Sequence, residues 1–520
     1  MGLVILPAQA SDPQPDIQSD ALSQVTAVSE LRDVDPSHWA YTALEALIAR
    51  YGCISGYPDA TFRGSTAVGR YEFAAGLNAC LNQIADLIET NAISRQDIEI
   101  LQRLQEEFGA ELSALRRRAT SAESRAAALE ANQFSATTKL RGEVIFDVSD
   151  RFGGDDLAFG PADSDDNTVF RDRVRLNLAT SFTGEDLLLT RLAAGSVEPF
   201  TRPGPFDGVA ASTAEGSLAH RVGGNTGNDF ELDRLSYSAP LGDRLDVHIA
   251  ANRGRHEDYL FSTFNDYLDD GDGGHGAIST FGQRSPIYRI GGGAGVGLNL
   301  ALTTDRSLVL TGGYLADEAA SPESGSGLFN GDYAALGQIA FAPSDRLKLG
   351  ATYVHGHHTA DNFIFDSGFG DEFFVGTTAA SASHTALETS ATTNSYGLQA
   401  FFQPSPAIAI NAFGGFTDAI FTGQGDGEIW YYGLGLAFPD LFEEGNLGGF
   451  TVGVEPYLAG ESVESFAIVN DTSVHVEAFY RYQVTDNIAI TPGLIWITAP
   501  DQNQANDDFV VGTLRTTFRF

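Results

Sequence analysis

The chain has 520 residues, with 69 acidic against 31 basic side chains and a net charge of −38. An acid excess of this size argues against nucleic acid as a partner, because phosphate binding needs clustered positive charge. Mean hydropathy is −0.10 and no run of about 18 apolar residues occurs, so no helix is expected to cross a membrane. With 57 glycines and 11% aromatics the composition suits a barrel with one oily and one wet face; a soluble β-rich protein averages out the same way.

The N-terminal stretch MGLVILPAQAS is apolar and then reads Ala-Gln-Ala, as at the end of a secretory signal cleaved after Ala10; a disordered tail is the other reading. Residues 1–10 are taken as the signal remnant and 11–27 as a linker. From 28 to 90 a small α-helical module is expected. Its first helix carries Ala43, Leu44, Leu47 and Ile48 as an apolar stripe and stops at Gly52. A turn-rich stretch, Ile54 to Arg63, leads to a second helix with Tyr71, Phe73, Ala74, Leu77 and Leu81 on its apolar side. One such module is barely large enough for its own core.

Asp33-Val34, Trp39-Ala40, Gly56-Tyr57-Pro58-Asp59, Thr61-Phe62-Arg63 and Arg70-Tyr71-Glu72-Phe73 resemble the signature of the S-layer homology (SLH) module. Ala60, Gly64 and Gly69 depart from it, replacing a turn glycine, a proline and the threonine before Arg70. The resemblance implies binding of cell-wall polysaccharide or peptidoglycan through Asp33, Trp39, Tyr57, Asp59, Arg70 and Glu72, with Arg70 contacting anionic glycan. Trp39, Tyr57 and Phe62 can also be read as core alone, and for Trp39 and Phe62 that is the stronger reading. The two cysteines, Cys53 and Cys80, either bridge, at a gain of roughly 3–4 kcal/mol, or stay as buried thiols.

Residues 94–133 read as a coiled coil. Ile98, Leu101, Gln105, Phe108, Leu112, Leu115, Ala119, Ala122, Ala126, Leu129 and Gln133 form an unbroken heptad seam. Such a helix spans roughly 54 Å. A single amphipathic helix lying on another domain is the alternative.

Residues 134–520 carry sixteen expected strands, roughly 135–148, 168–182, 186–196, 230–238, 243–251, 286–302, 308–315, 332–342, 346–356, 393–403, 407–416, 429–437, 449–459, 472–483, 487–498 and 509–520. Short connections with turn residues alternate with longer ones rich in Asp, Gly and Ser. That alternation predicts a 16-stranded antiparallel transmembrane β-barrel, with short periplasmic turns and long external loops. The last strand, FVVGTLRTTFRF, alternates strictly, and its Phe518 and terminal Phe520 resemble the assembly signal of outer-membrane barrels.

Arginine on the lipid face costs about 2–4 kcal/mol at the midplane, so charged faces must point inward. Lys139, Arg141, Arg171, Arg173, Arg175 and Arg191 are therefore expected to line the pore as a basic ladder. The third external loop, 252–285, carries Glu257, Asp258, Asp266, Asp269, Asp270 and Asp272 and is expected to fold inward as the constriction; an external cap is the other reading. Gly291 to Gly297 mimics a nucleotide loop but lacks βαβ context, and reads as small-residue strand. Asp269 to Gly273 lacks the spacing of a calcium loop, and His355, His357 and His358 sit at a strand end. No nucleophile, base and oxyanion set is visible, so neither an enzyme nor a cofactor is expected.

The order SLH module, coiled coil, barrel resembles the major outer-membrane porins of cyanobacteria. These are grouped with carbohydrate-selective porins of the OprB type and also called iron uptake porins. The resemblance implies an outer-membrane protein with its SLH module and coiled coil in the periplasm. It implies passive diffusion of small hydrophilic solutes and attachment to peptidoglycan. Opposed charged walls favour inorganic ions, iron included, over sugars. A sugar channel, or a structural tether of outer membrane to peptidoglycan, is the alternative. A single SLH copy followed by a coiled coil predicts a homotrimer.

Overall fold

The computed structural model describes residues 137–520, apart from 155–166, 199, 201–212, 222–225, 272, 361, 369–374 and 463–470, and a few isolated positions before residue 137. The chain divides into two compact units, Met1–Ala131 and Asn132–Phe520. In the first, Asp33 lies in an exposed turn and Cys80 is disulfide-bonded. The expected coiled coil, and Trp39, Cys53, Tyr57, Asp59, Arg70 and Glu72, lie outside the described residues.

The second unit is a closed barrel in which each strand pairs with its sequence neighbours and the last pairs with the first. The strands are β1 (Thr138–Gly153), β2 (Val169–Thr180), β3 (Leu187–Gly195), β4 (Glu231–Leu241), β5 (Leu245–Gly254), β6 (Gly293–Ala301), β7 (Leu308–Ala316) and β8 (Tyr333–Ser344). They continue as β9 (Leu347–His358), β10 (Ala391–Ser405), β11 (Ile408–Phe421), β12 (Gly425–Pro439), β13 (Leu447–Glu461), β14 (Val474–Thr485), β15 (Ile488–Thr498) and β16 (Phe509–Arg519). All pairings are antiparallel, and the ring closes with Glu143 opposite Arg519 and Gly153 opposite Phe509. The strand ends differ from expectation by a few residues. The largest difference is at β6, where Pro286–Arg289 form a 3-10 turn and pairing starts only at Gly293.

Period-two alternation decides which way each side chain points. On β16, Leu514 is exposed on the outer wall while Arg515 is fully buried on the inner one. Outward aromatics line up across strands: Tyr353 opposes Tyr396, Tyr396 opposes Phe416, and Phe416 opposes Trp430. An aromatic row of this kind marks a membrane interface. The wall is uneven in height, with 15 residues in β10, β12 and β13 but 9 in β3, β6 and β7.

The short turns hold themselves together. In the β2–β3 turn, Asp186 accepts from the N–H groups of Phe182 at 2.9 Å and Thr183 at 2.7 Å, and Gly184 takes the left-handed φ of 92°. At the seam the terminal Phe520 exchanges backbone hydrogen bonds with Gly142 at 2.8 and 3.1 Å. Its ring lies where a Gly142 side chain would be.

Candidate functional site: a lumen filled by loops

The inner wall is not a bare pore. Residues 255–292, apart from 272, lie between β5 and β6 and fold into the lumen along the wall. The Tyr259 ring fills the space over Gly297 and Gly313 on β6 and β7, and Phe264 does the same over Gly350 on β9. Gln403 on β10 donates to the Tyr267 hydroxyl at 2.7 Å. The tip then reaches the closing seam, where Arg515 donates to the carbonyls of Gly273 at 2.6 Å and Gly276 at 2.8 Å. The glycine run 291–297, expected as small-residue strand, enters β6 at Gly293 and supplies one of these seats: only a glycine at 297 leaves room for the Tyr259 ring.

Carboxylates on the far wall hold the loops by their backbones. Glu477 on β14 accepts from the N–H of Ile278 at 2.7 Å and of Ser279 at 3.2 Å, and from the Ser279 hydroxyl. Glu455 on β13 accepts from the N–H of Gly216 at 2.9 Å and of Gly376 at 3.1 Å, so it ties the β3–β4 and β9–β10 loops to one point. His475 lies between the two carboxylates, 2.8 Å from Glu455 and 3.6 Å from Glu477. Beside them Glu215 accepts from the Asp501 N–H at 2.8 Å. Burial, then the Glu455 charge, pushes Glu215 up to about 8. None of this network was picked out from sequence. Its only signal was an inward carboxylate on each of two adjacent strands.

The residues of the expected basic ladder differ in setting. Lys139 and Arg141 are exposed at the short-turn end. Arg171, Arg173, Arg175 and Arg191 are buried and each faces a carboxylate. Arg171 pairs with Asp147 at 3.1 Å and Arg173 with Glu143 at 2.6 Å, while Arg175 and Arg191 share Asp233 at 3.9 and 3.8 Å. Arg173 also donates to the carbonyl of His220, in the 3-10 turn Ala219–Arg221. Burial drives His220 down to about 4, so it stays neutral there.

The acidic side chains of residues 255–292 are paired as well. Arg284 binds Glu257 at 2.6 Å and Asp269 at 2.5 Å, and burial is outweighed by these two charges, which hold its guanidinium above the usual range. Asp258 pairs with Arg234, Asp266 with Lys348 at 2.6 Å, and Asp270 with Arg519 at 2.9 Å. Asp272 lies outside the described residues. Between these pairs lies a cavity of about 380 Å³, whose walls also include Leu260, Phe261, Ser262, Thr263 and Asn265. Cation and anion therefore meet around the same space rather than on opposite walls. The likeness to a calcium loop at Asp269–Gly273 dissolves too: Asp270 accepts from the N–H groups of Gly273 and His275 at 2.7 and 2.6 Å.

The sequence model of the carbohydrate-selective porin, OprB family, matches residues 95–520. The chain belongs to the OprB family. The S-layer homology domain model matches residues 30–74. An uncharacterized protein of Nostoc sp. is 48% identical over 97% of this chain and 87% of its own length. One of Synechocystis sp. is 36% identical over 96% of this chain and 92% of its own. Among solved structures, Pseudomonas putida OprB covers 74% of this chain and 94% of that one, with 14% identity and a TM-score of 0.49. This OprB-family porin is thus a passive outer-membrane transport protein that carries a cell-wall-anchoring SLH domain, and not an enzyme.

Proposed function

We propose that the barrel passes uncharged, hydroxyl-rich solutes of the sugar class. The expectation that inorganic ions, iron included, are favoured gives way to its alternative. Family membership is one support. The observation that carries the reading is the pairing of charge around the lumen cavity. Four cations border it, Arg191, Arg234, Arg284 and Lys348, and each has a carboxylate within 4 Å. Paired charges largely cancel at a distance, so neither sign of ion gains a wall to follow. They still present donors and acceptors to hydroxyl groups, and half-buried Leu260 and Phe261 add apolar surface for a sugar's C–H face.

Attachment to peptidoglycan or linked polysaccharide goes with the SLH domain, with Arg70 as the anionic-glycan contact. The single SLH copy supports a homotrimer; a monomer by light scattering in mild detergent would refute that assembly.

The test of permeation is a planar bilayer with the full chain inserted. We expect a conducting channel whose KCl current falls as mono- or disaccharide is added at millimolar concentration. A current indifferent to sugar but blocked by ferric or ferrous salt would return the function to ion uptake. No current and no sugar uptake by liposomes would leave the wall tether as the main role.

A further inference from the structure

We infer that the outer wall across β8–β12 holds one sugar-headed lipid in a built site, separate from the lumen. Three outward rows stack here, each two residues from the next. The floor row is Ile339, Ala351, Leu398, Gly414 and Tyr432, which oppose one another strand by strand. Above it runs Gly337, Tyr353, Tyr396, Phe416 and Trp430. Above that, toward the long loops, runs His355, Asn394, Asp418 and Glu428.

The small residues make a hollow. Gly337, Ala351 and Gly414 leave the strand backbone bare between large neighbours, and the resulting groove encloses about 750 Å³. Its rim is aromatic: Tyr353 and Tyr396 lie 5.2 Å apart, and Phe416 and Trp430 4.8 Å apart. The groove is continuous with the lipid-facing wall of an outer-membrane barrel, so its natural filling is an acyl chain.

The polar row identifies the headgroup. From Ala351 on the floor to His355 is four residues, about 13 Å along the strand. That carries a ligand from hydrocarbon depth to the level of the aromatic interface. There Asn394 Oδ1 accepts from the Tyr353 hydroxyl at 2.8 Å and lies 3.1 Å from His355 Nδ1. Asp418 and Glu428 follow in the same row. Two carboxylates repel a phosphate headgroup, which would instead call for Arg or Lys. Carboxylate, amide and imidazole beside Tyr and Trp faces suit hydroxyls on a sugar ring. A second copy of this chain would gain from the apolar hollow but would have to bury that acidic row against itself.

The experiment is native mass spectrometry of the full chain released from bilayers of equal galactosyl-diacylglycerol and phosphatidylglycerol. One galactolipid per barrel, retained at least tenfold over phosphatidylglycerol, is expected. The double variant Gly337→Leu/Gly414→Leu fills the hollow without strain: a Cβ at 337 meets nothing within 4 Å and one at 414 meets Tyr432 at 3.7 Å. It should lose that retention at least tenfold while keeping heat-resistant gel mobility and wild-type conductance. Asp418→Asn/Glu428→Gln should erase the preference between headgroups. Equal retention of both lipids by the wild type, preference for phosphatidylglycerol, or undiminished binding in the filled variant would overturn the site. So would a filled variant that changes oligomeric state instead of lipid content.

Discussion

Glu477→Ala should free the loop segment around Ile278 and Ser279 from the wall without unfolding the barrel. The carboxylate takes three hydrogen bonds from the loop, from the N–H groups of Ile278 and Ser279 and from the Ser279 hydroxyl. Bonds to a charged acceptor contribute about 1.5–3 kcal/mol each. Two of the three come from one residue and are not independent, so we take about 4 kcal/mol for the set. At 1.4 kcal/mol per decade this raises the local opening constant roughly a thousandfold. Strand pairing is untouched, because Glu477 still meets Thr451 and Ile495 through the backbone ladder. Hydrogen exchange on the peptide covering 277–283 should therefore speed up by about that factor, while β14 and β15 keep their protection. Single-channel conductance should rise as this segment moves off the wall, with Gly273 and Gly276 still held by Arg515. Glu477→Gln keeps one acceptor oxygen and should give a smaller effect in the same direction. Unchanged exchange at 277–283, or equal loss of protection in β14 and β15, would refute the idea that this carboxylate is the loop's anchor.

The loop cluster around Glu215 should loosen in alkali. Its carboxyl sits above the ordinary value of 4.5, at about 8, so the folded state holds a proton that the unfolded state releases. The contribution is complete below about 4.5, falls as pH rises and is gone above about 8; Glu215→Gln should flatten that part of a stability–pH curve. Lys348→Ala frees Asp266 at the cavity. Its reversal potential in a KCl gradient should move toward cations and that of Asp266→Asn toward anions; no shift in either would remove the paired-charge argument. Gly142→Ala puts a methyl group where the Phe520 ring lies. It should slow assembly, seen as less heat-modifiable barrel at early times, and Phe520→Ala should abolish the difference between glycine and alanine at that site.

Strand positions were legible because the bilayer and the lumen grade every residue. A one-residue slip would place Arg171, Arg173 and Arg175 in lipid, so the face is set by energy and can be read from alternation alone. The turns were legible for a similar local reason, since Asp186 lies within five residues of its turn partners Ser181, Phe182 and Thr183. Residues 255–292 had no such grading. Their composition marked them as a loop that could fold inward, but their hold on the wall depends on partners far away in sequence. Ile278 and Glu477 are 199 positions apart, and Gly273 and Arg515 are 242. No periodicity carries that information.

The charge pattern was readable as to side but not as to effect. Counting residues gave a basic wall and an acidic loop, and from that an ion-orienting field. Folding the loop inward changes the physics. The arginines beside the loop become buried, and a buried unpaired charge is costly, so each is driven to a carboxylate. Asp147, Glu143 and Asp233 on the strands answer Arg171, Arg173, Arg175 and Arg191 before the loop's own acids are counted. What remains for a permeant is the donor and acceptor surface of paired charges. The same carboxylate chemistry then recurs for a second purpose at Glu455 and Glu477, where the partners are backbone N–H groups. A loop that must stay in a hydrated channel cannot be held by apolar burial alone, and a charged acceptor on a rigid strand is the strongest hydrogen-bonding handle available to it.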